Sequence, residues 1–234
     1  MRLKVLPFLV SDASRQMELD TLLFTTFCVG HDESTIRFYK ISPPAITIGY
    51  HQREDSVRRT LEDCSIDIVR RPTGGRAVVH LGDLTYTIIG GVGNCLFGAN
   101  ILDIYHAIGK GVKRGIDMYG VGLDFVTEPD LSSSPFCFEL SSKHELAYAG
   151  KKVAGGALLK RYGRFLFQGS ILLEPLQGHR GLSGILGLSE ITGGKTETER
   201  LVEAIVEGFR EEFGAEIVHG RWPEAALTGK VLLS

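Results

Sequence analysis

Two glycine-rich segments and one cysteine carry most of the chemical potential of this chain. The first segment reads Arg70-Arg71-Pro72-Thr73-Gly74-Gly75-Arg76-Ala77-Val78-Val79-His80 and follows the apolar run 66–69. That pattern predicts a strand, a tight loop and a second strand. Gly74 and Gly75 let the backbone approach a ligand closely and take positive φ without strain. The three arginines supply fixed charge and forked donors. The loop is either a plain turn between strands or a cradle for something elongated or anionic. The second segment favours the cradle. It reads Gly150-Lys151-Lys152-Val153-Ala154-Gly155-Gly156-Ala157 and offers a second glycine-lined wall. Adjacent side chains on a strand face opposite ways, so only one of Lys151 and Lys152 can enter a site.

Cys137 stands between Phe136 and Phe138, after a Ser/Pro-rich stretch. Such a cysteine is either a buried hydrophobe or a thiol at a mouth, where a nearby ammonium raises its thiolate content. Lys152 follows fifteen positions on, across an expected hairpin, and is the candidate ammonium. His80 closes its strand and reads as structural or catalytic. The other histidines lack metal-ligand spacing, and the four cysteines form no C-x-x-C pair, so neither zinc nor a disulfide framework is expected. Gly193-Gly194-Lys195-Thr196 imitates the end of a phosphate loop, but Ser189 stands where the first glycine belongs. Gly91-Val92-Gly93 opens a dinucleotide-type pattern that Leu96 interrupts. Lys151, Lys152, Lys160, Arg161 and Arg164 form a basic stretch without an intervening acid. It reads as a docking face for an acidic carrier protein, a nucleic-acid contact or a solvated face.

The elements that must position these residues are strands in the middle and helices around them. Residues 13–27 read as a helix. Strands are expected at 35–41, 45–49, 66–71, 77–80 and 84–89. Over 100–119 the apolar positions Ile101, Ile104, Tyr105, Ile108, Val112 and Ile116 make one helical stripe, with Asn100 as N-cap. A strand at 123–126 precedes a hairpin of 145–148 and 152–154, turning at Ala149-Gly150. Residues 164–173 form a long strand. The pattern over 196–213 predicts a helix opened by a Thr196/Glu199 capping box and stopped by Gly214. Short strands at 215–218 and 230–233 complete an α+β chain with a mixed sheet.

The 234 residues suit one large domain, and 43% hydrophobic with 23% charged residues is ordinary for a globular one. A net charge of −2 argues against nucleic acid and anionic membrane as partners. No apolar run reaches the length of a membrane span. The first residues lack a signal-type core, so a cytoplasmic protein with reduced thiols is expected.

Together the motifs resemble the lipoate and octanoate attachment enzymes, relatives of biotin protein ligase. Residues 70–80 match the R-R-x-[ST]-G-G-x-A-V-x-H signature, and 150–157 match G-x-K-[IV]-x-G-x-A, with Lys152 as the family lysine. Residues 44–52 resemble the family's early strand and glycine. Gln168-Gly169-Ser170-Ile171-Leu172 resembles the strand that follows the lysine. The G-R-G-R-x-G-R loop of the biotin branch is absent. The resemblance implies a biotin/lipoate-ligase-like catalytic domain with a mixed, largely antiparallel β-sheet flanked by helices. It implies a single such domain over 1–234, without the accessory C-terminal domain of long ligases. An acyl chain would lie beside Gly74-Gly75, in a site shaped by Arg71, His80, Gly155 and Ala157.

Two features resemble the cysteine-dependent octanoyltransferases that share the ligase-type scaffold. Ligases of the family typically continue H-D-x-G-N after the signature, and here Leu84 replaces that asparagine. Cys137-Phe138, Glu145-Leu146 and Lys152 match the C-F-x(6)-E-L-x(5)-K layout, in which the cysteine is the nucleophile. Leu81 departs from both branches, which often place Asp there, and Asp83 is a possible substitute. The resemblance therefore implies octanoyl transfer from an octanoyl acyl carrier protein through a Cys137 thioester. The acceptor would be a lysine of a lipoyl domain or glycine-cleavage H protein. Lys152 would stabilise the oxyanion and the thiolate. Thioester to amide is downhill, so that route needs neither nucleotide nor metal. The alternatives are an ATP- and Mg²⁺-dependent lipoate-protein ligase, alone or as half of a two-chain enzyme, and a non-catalytic acyl-binding subunit.

Overall fold

The computed structural model describes residues 2–30, 33–61, 65–94, 97–126, 145–175 and 185–227. The N-terminal part runs β1 (Arg2–Val5), β2 (Leu9–Ser11), α1 (Ala13–Thr26), β3 (Glu33–Ile41), β4 (Ala45–Ile48) and α2 (Glu54–Arg58). Next come β5 (Asp67–Arg70), β6 (Val78–His80), β7 (Asp83–Gly91), α3 (Ile101–Tyr119), β8 (Asp124–Phe125) and β9 (Leu146–Tyr148). The chain continues with β10 (Lys151–Arg161), β11 (Arg164–Leu172), α4 (Leu188–Thr192), α5 (Thr198–Phe213), β12 (Glu216–His219) and α6 (Glu224–Leu227).

The main sheet has the order β12-β1-β3-β7-β11-β10-β9-β8, with β2 added beside β3. Its β12, β1, β3 and β2 pairings are parallel, and those from β3 through β7, β11, β10 and β9 to β8 are antiparallel. A small second sheet, β5-β4-β6, carries the Arg70–His80 signature. The fold is thus the mixed, largely antiparallel α+β arrangement expected. None of the described helices is long and apolar enough to cross a membrane.

Helices α3 and α5 cover one face of the main sheet and make the principal core with Ile36, Phe38, Tyr86, Ile88, Phe165 and Phe167. Each such side chain contributes roughly 1.5–3 kcal/mol on burial. The two helices cross at Gly115 and Gly208, where a Cβ would overlap the facing backbone. Asn100 caps α3 by accepting from the Asp103 amide at 2.8 Å. Ile101 is 49% exposed, so the buried stripe begins one turn later, at Ile104. The expected Thr196/Glu199 capping box is not formed. The N-cap of α5 is Glu197, without a side-chain cap, while the buried Thr196 hydroxyl donates to the Leu173 carbonyl at 3.4 Å. The cap residue is spent on tying the helix entry to the end of β11. Strands β1 and β2 and helices α2, α4 and α6 were not expected; at five residues or fewer, none completes a readable period. The strand expected at 230–233 lies outside the described residues.

Candidate active site

The face of the main sheet opposite α3 and α5 is polar and yet buried. Along β7, Leu84, Tyr86 and Ile88 point to the helices, so the alternating Asp83, Thr85 and Thr87 point the other way. Every residue of β7 is buried, because both faces of the strand are covered. Antiparallel register extends this polarity across three strands. Thr85 pairs with Ser170, which pairs with Gly155; Thr87 pairs with Gln168, which pairs with Ala157. These rows of small and polar side chains form the floor of a cavity with about 430 Å³ of open space. Thr47, Arg71, Val78 and His80 of the small-sheet unit form the opposing wall, and Met17 and Tyr39 close it.

The signature loop is held by its own arginines. Arg71 is buried, and its guanidinium donates to the carbonyls of Thr47 (3.1 Å), Gly74 (2.7 Å) and Arg76 (2.7 Å). Arg70 donates to the carbonyls of Gly49, Tyr50 and Gln52. The sequence suggests charge for a ligand; the structure uses these forks to order the loop's backbone. Gly75 has φ +86°, and a Cβ on Gly49 would overlap the Gly75 carbonyl. A Cβ on Gly74 would meet open space. The hypothetical Cβ of Gly75 lies 3.6 Å from that of Ala157, so both glycine segments do meet at one cavity.

His80 lines the cavity, and the buried Asp83 is its hydrogen-bond partner. His80 Nδ1 lies 2.9 Å from Asp83 Oδ2, and Nε2 lies 2.9 Å from the Thr47 hydroxyl. Ser170 (2.5 Å) and Thr85 (3.1 Å) donate to the same carboxylate oxygen. Burial raises the Asp83 carboxyl, but the His80 charge and the bonds from His80, Ser170 and Thr85 outweigh it. The group is held below the ordinary carboxylate range.

Lys152 is 1% exposed and donates to Glu145 Oε1 at 2.7 Å, whereas Lys151 is exposed. The choice between them follows from local geometry. Ala149 (φ 48°) and Gly150 (φ 78°) turn the β9–β10 hairpin at the expected place. A register irregularity between Lys152 and Ala154 inserts Val153, so Val153 and Ala154 both face the helix core. Lys152 and Gly155 then share the cavity face at a spacing of three, not two. A Cβ on Gly155 would stand 2.6 Å from Glu145 Oε1 and 2.7 Å from Lys152 Cε. The glycine therefore makes room for the ion pair.

Lys152, Arg71, His80, Gly155 and Ala157 converge on one cavity, with Gly75 beside it. Cys137 lies outside the described residues. The basic stretch does not form one face. Lys152 is buried, Lys160 donates to the Ala99 carbonyl, and Arg164 donates to the carbonyls of Thr25 and Phe27. Lys151 and Arg161 lie at opposite ends of a strand roughly 30 Å long. Sequence reasoning missed the buried Asp20 and Arg37 behind the cavity. Arg37 Nε donates to Asp20 Oδ1 at 2.7 Å, and Gln168 Nε2 and the Tyr39 hydroxyl donate to Oδ2. Thr73 of the signature loop donates to Gln168 at 2.6 Å, which links the loop to this pair. An arginine inside the apolar run Ile36–Ile41 was the available signal.

Residues 12–221 match the family model of the lipoyl protein ligase A/B catalytic domain. The chain belongs to that family. Among curated relatives, the octanoyltransferase LipM of Clostridioides difficile is 32% identical, over 89% of this chain and 86% of the relative. That of Exiguobacterium sp. is 38% identical, over 69% of this chain and 62% of the relative. A putative lipoate protein ligase of Thermoplasma acidophilum, solved with bound lipoic acid, superposes with a TM-score of 0.77 at 19% identity. That superposition covers 97% of this chain and 92% of the neighbour. This likeness shows that the overall fold is shared.

Proposed function

We propose that this chain is an octanoyltransferase of protein lipoylation, working through a covalent thioester on Cys137. The observation that carries the reading is the buried Lys152 ammonium in the wall of a glycine-floored cavity, in the chain position of the family lysine. The octanoyl chain lies over Gly155, Ala157 and Val78, and its thioester carbonyl is directed to Lys152. There the ammonium stabilises the oxyanion and the Cys137 thiolate. Donor and acceptor are an octanoyl acyl carrier protein and a lysine of a lipoyl domain or glycine-cleavage H protein. The relatives named octanoyltransferase LipM support this branch over the ligase. So does Leu84, which is fully buried in the helix-facing core and offers no polar group where ligases carry asparagine. Asp83 already accepts three hydrogen bonds, which suits a structural carboxylate better than a metal ligand.

Intact mass spectrometry after mixing the protein with octanoyl carrier protein tests the reading. The expected result is a hydroxylamine-sensitive octanoyl adduct that Cys137→Ala abolishes together with acceptor modification. Modification by Cys137→Ala, or modification that requires lipoate, ATP and Mg²⁺, overturns it in favour of a ligase.

A further inference from the structure

The far end of the cavity from Lys152 is closed by hydrogen bonds. From Lys152 the floor runs through the Gly155–Ser170–Thr85 row to the Ala157–Gln168–Thr87 row, about 7 Å further along the strands. The Gln168 amide stands in that second row, and both of its ends are engaged. Its carbonyl accepts from the Thr73 hydroxyl of the signature loop at 2.6 Å. Its nitrogen donates to Asp20 Oδ2 at 2.6 Å and lies 3.2 Å from Met17 Sδ. Arg71 Nε in turn donates to the Thr73 hydroxyl at 3.2 Å. Thr73 is fully buried and Gln168 nearly so. The Thr73–Gln168 bond is therefore a strut from the loop above to the floor below. The next row on the same face is apolar. Ile89 pairs with Leu166, both are fully buried, and both pack with Phe24. One layer of hydrogen bonds thus separates a hydrocarbon tail in the cavity from apolar side chains behind it.

We infer that the Thr73–Gln168 strut is the length gauge of the acyl site, holding it to the octanoyl chain; this deepens the proposed function and rests on its placement of the acyl group. Where room exists, burying one more methylene tightens binding roughly fourfold. A decanoyl chain, with two more, would gain about fifteenfold. To make room here, the longer tail must part Thr73 from Gln168. That leaves a buried hydroxyl proton and a buried carbonyl without partners, and each such loss costs roughly 5- to 150-fold. The two losses together outweigh the gain, so the longer chain is rejected. A wall made of side-chain bulk alone would behave differently, because it could yield by rotating a side chain without stranding a polar group.

Isothermal titration calorimetry with sodium octanoate and sodium decanoate reads the gauge without any transfer chemistry. The unaltered protein should bind octanoate about tenfold or more tightly than decanoate. Thr73→Val keeps the side chain's size and removes the donor, and Gln168→Met keeps its length and removes the amide. In either variant the preference for octanoate should fall by about tenfold or more. Decanoate binding as tightly as octanoate to the unaltered protein, or no octanoate binding, overturns the inference. So does an unchanged preference in the folded variants, which would assign the wall to bulk alone. If one variant does not fold by circular dichroism, the other decides, and the preference of the unaltered protein is a test in either case. Intact mass after mixing with octanoyl or decanoyl carrier protein separates this inference from the transferase reading. No adduct from either donor, with the free-acid preference as expected, overturns the transferase reading and leaves the gauge standing. An octanoyl adduct without the free-acid preference overturns the gauge alone.

Discussion

A carboxylate that receives three donors on one oxygen titrates unlike an exposed one. Asp83 Oδ2 is reached by His80, Thr85 and Ser170, and its pKa in the fold lies below the ordinary value of 3.8. A depressed carboxyl stabilises the native state fully above its unfolded pKa and loses that contribution as pH falls through its folded pKa. Stability should therefore decline below about pH 4. Asp83→Asn should be less stable at neutral pH, by roughly 1–3 kcal/mol, and should lose less stability between neutral pH and acid. Thermal melts by circular dichroism, in steps from pH 7 to pH 2.5, give both slopes. An acid limb in Asp83→Asn as steep as in the unaltered protein would show that other carboxyls govern it.

At the scale of elements, the β9–β10 hairpin decides which lysine reaches the cavity. Its turn places two consecutive residues at positive φ, a geometry that suits Asn-Gly best. Ala149 takes it at a cost, because a Cβ disfavours the left-handed region by roughly 1–2 kcal/mol. Ala149→Asn should accordingly raise stability by about 0.5–1 kcal/mol, since asparagine tolerates that region. The gain is measured as a higher urea midpoint at unchanged m, with octanoyl transfer retained. A lower midpoint would mean that the turn is strained elsewhere. The bulge that follows has no comparable lever, because Val153 and Ala154 are both packed in the helix core.

For the molecule as a whole, the Asp20–Arg37 pair fastens α1 to β3, and Gln168 extends that link across β11 to the signature loop. Both charges are fully buried. Removing one partner from a buried pair typically costs about 3–5 kcal/mol, because the other charge is left without compensation. Asp20→Asn should show that loss in urea unfolding. The small sheet should loosen with it, read as faster amide exchange at Ile46 and Ile48. A loss below 1 kcal/mol would mean that Arg37 finds other acceptors, such as Gln16, which it already engages at 2.7 Å.

Most elements of ordinary length were legible in the sequence, because periods of two and of three to four directly record which faces are covered, but β10 was expected only at 152–154 and runs over Lys151–Arg161. That the two glycine segments share one site and that one of Lys151 and Lys152 turns inward was legible as well, since backbone approach and strand alternation constrain residue type and direction. Tertiary structure decided which groups became partners. Arg70 and Arg71 look like ligand-binding forks until the loop closes and supplies carbonyls nearer than any ligand. The basic stretch looks continuous until β10 carries its two ends apart and buries Lys152. Asp20 and Arg37, seventeen positions apart on a helix and a strand, meet only when α1 lies on the sheet. Spacing along a chain determines the face a side chain shows. Only the packing of faces determines what that side chain meets, because in a buried site the nearest charge or donor comes from another element.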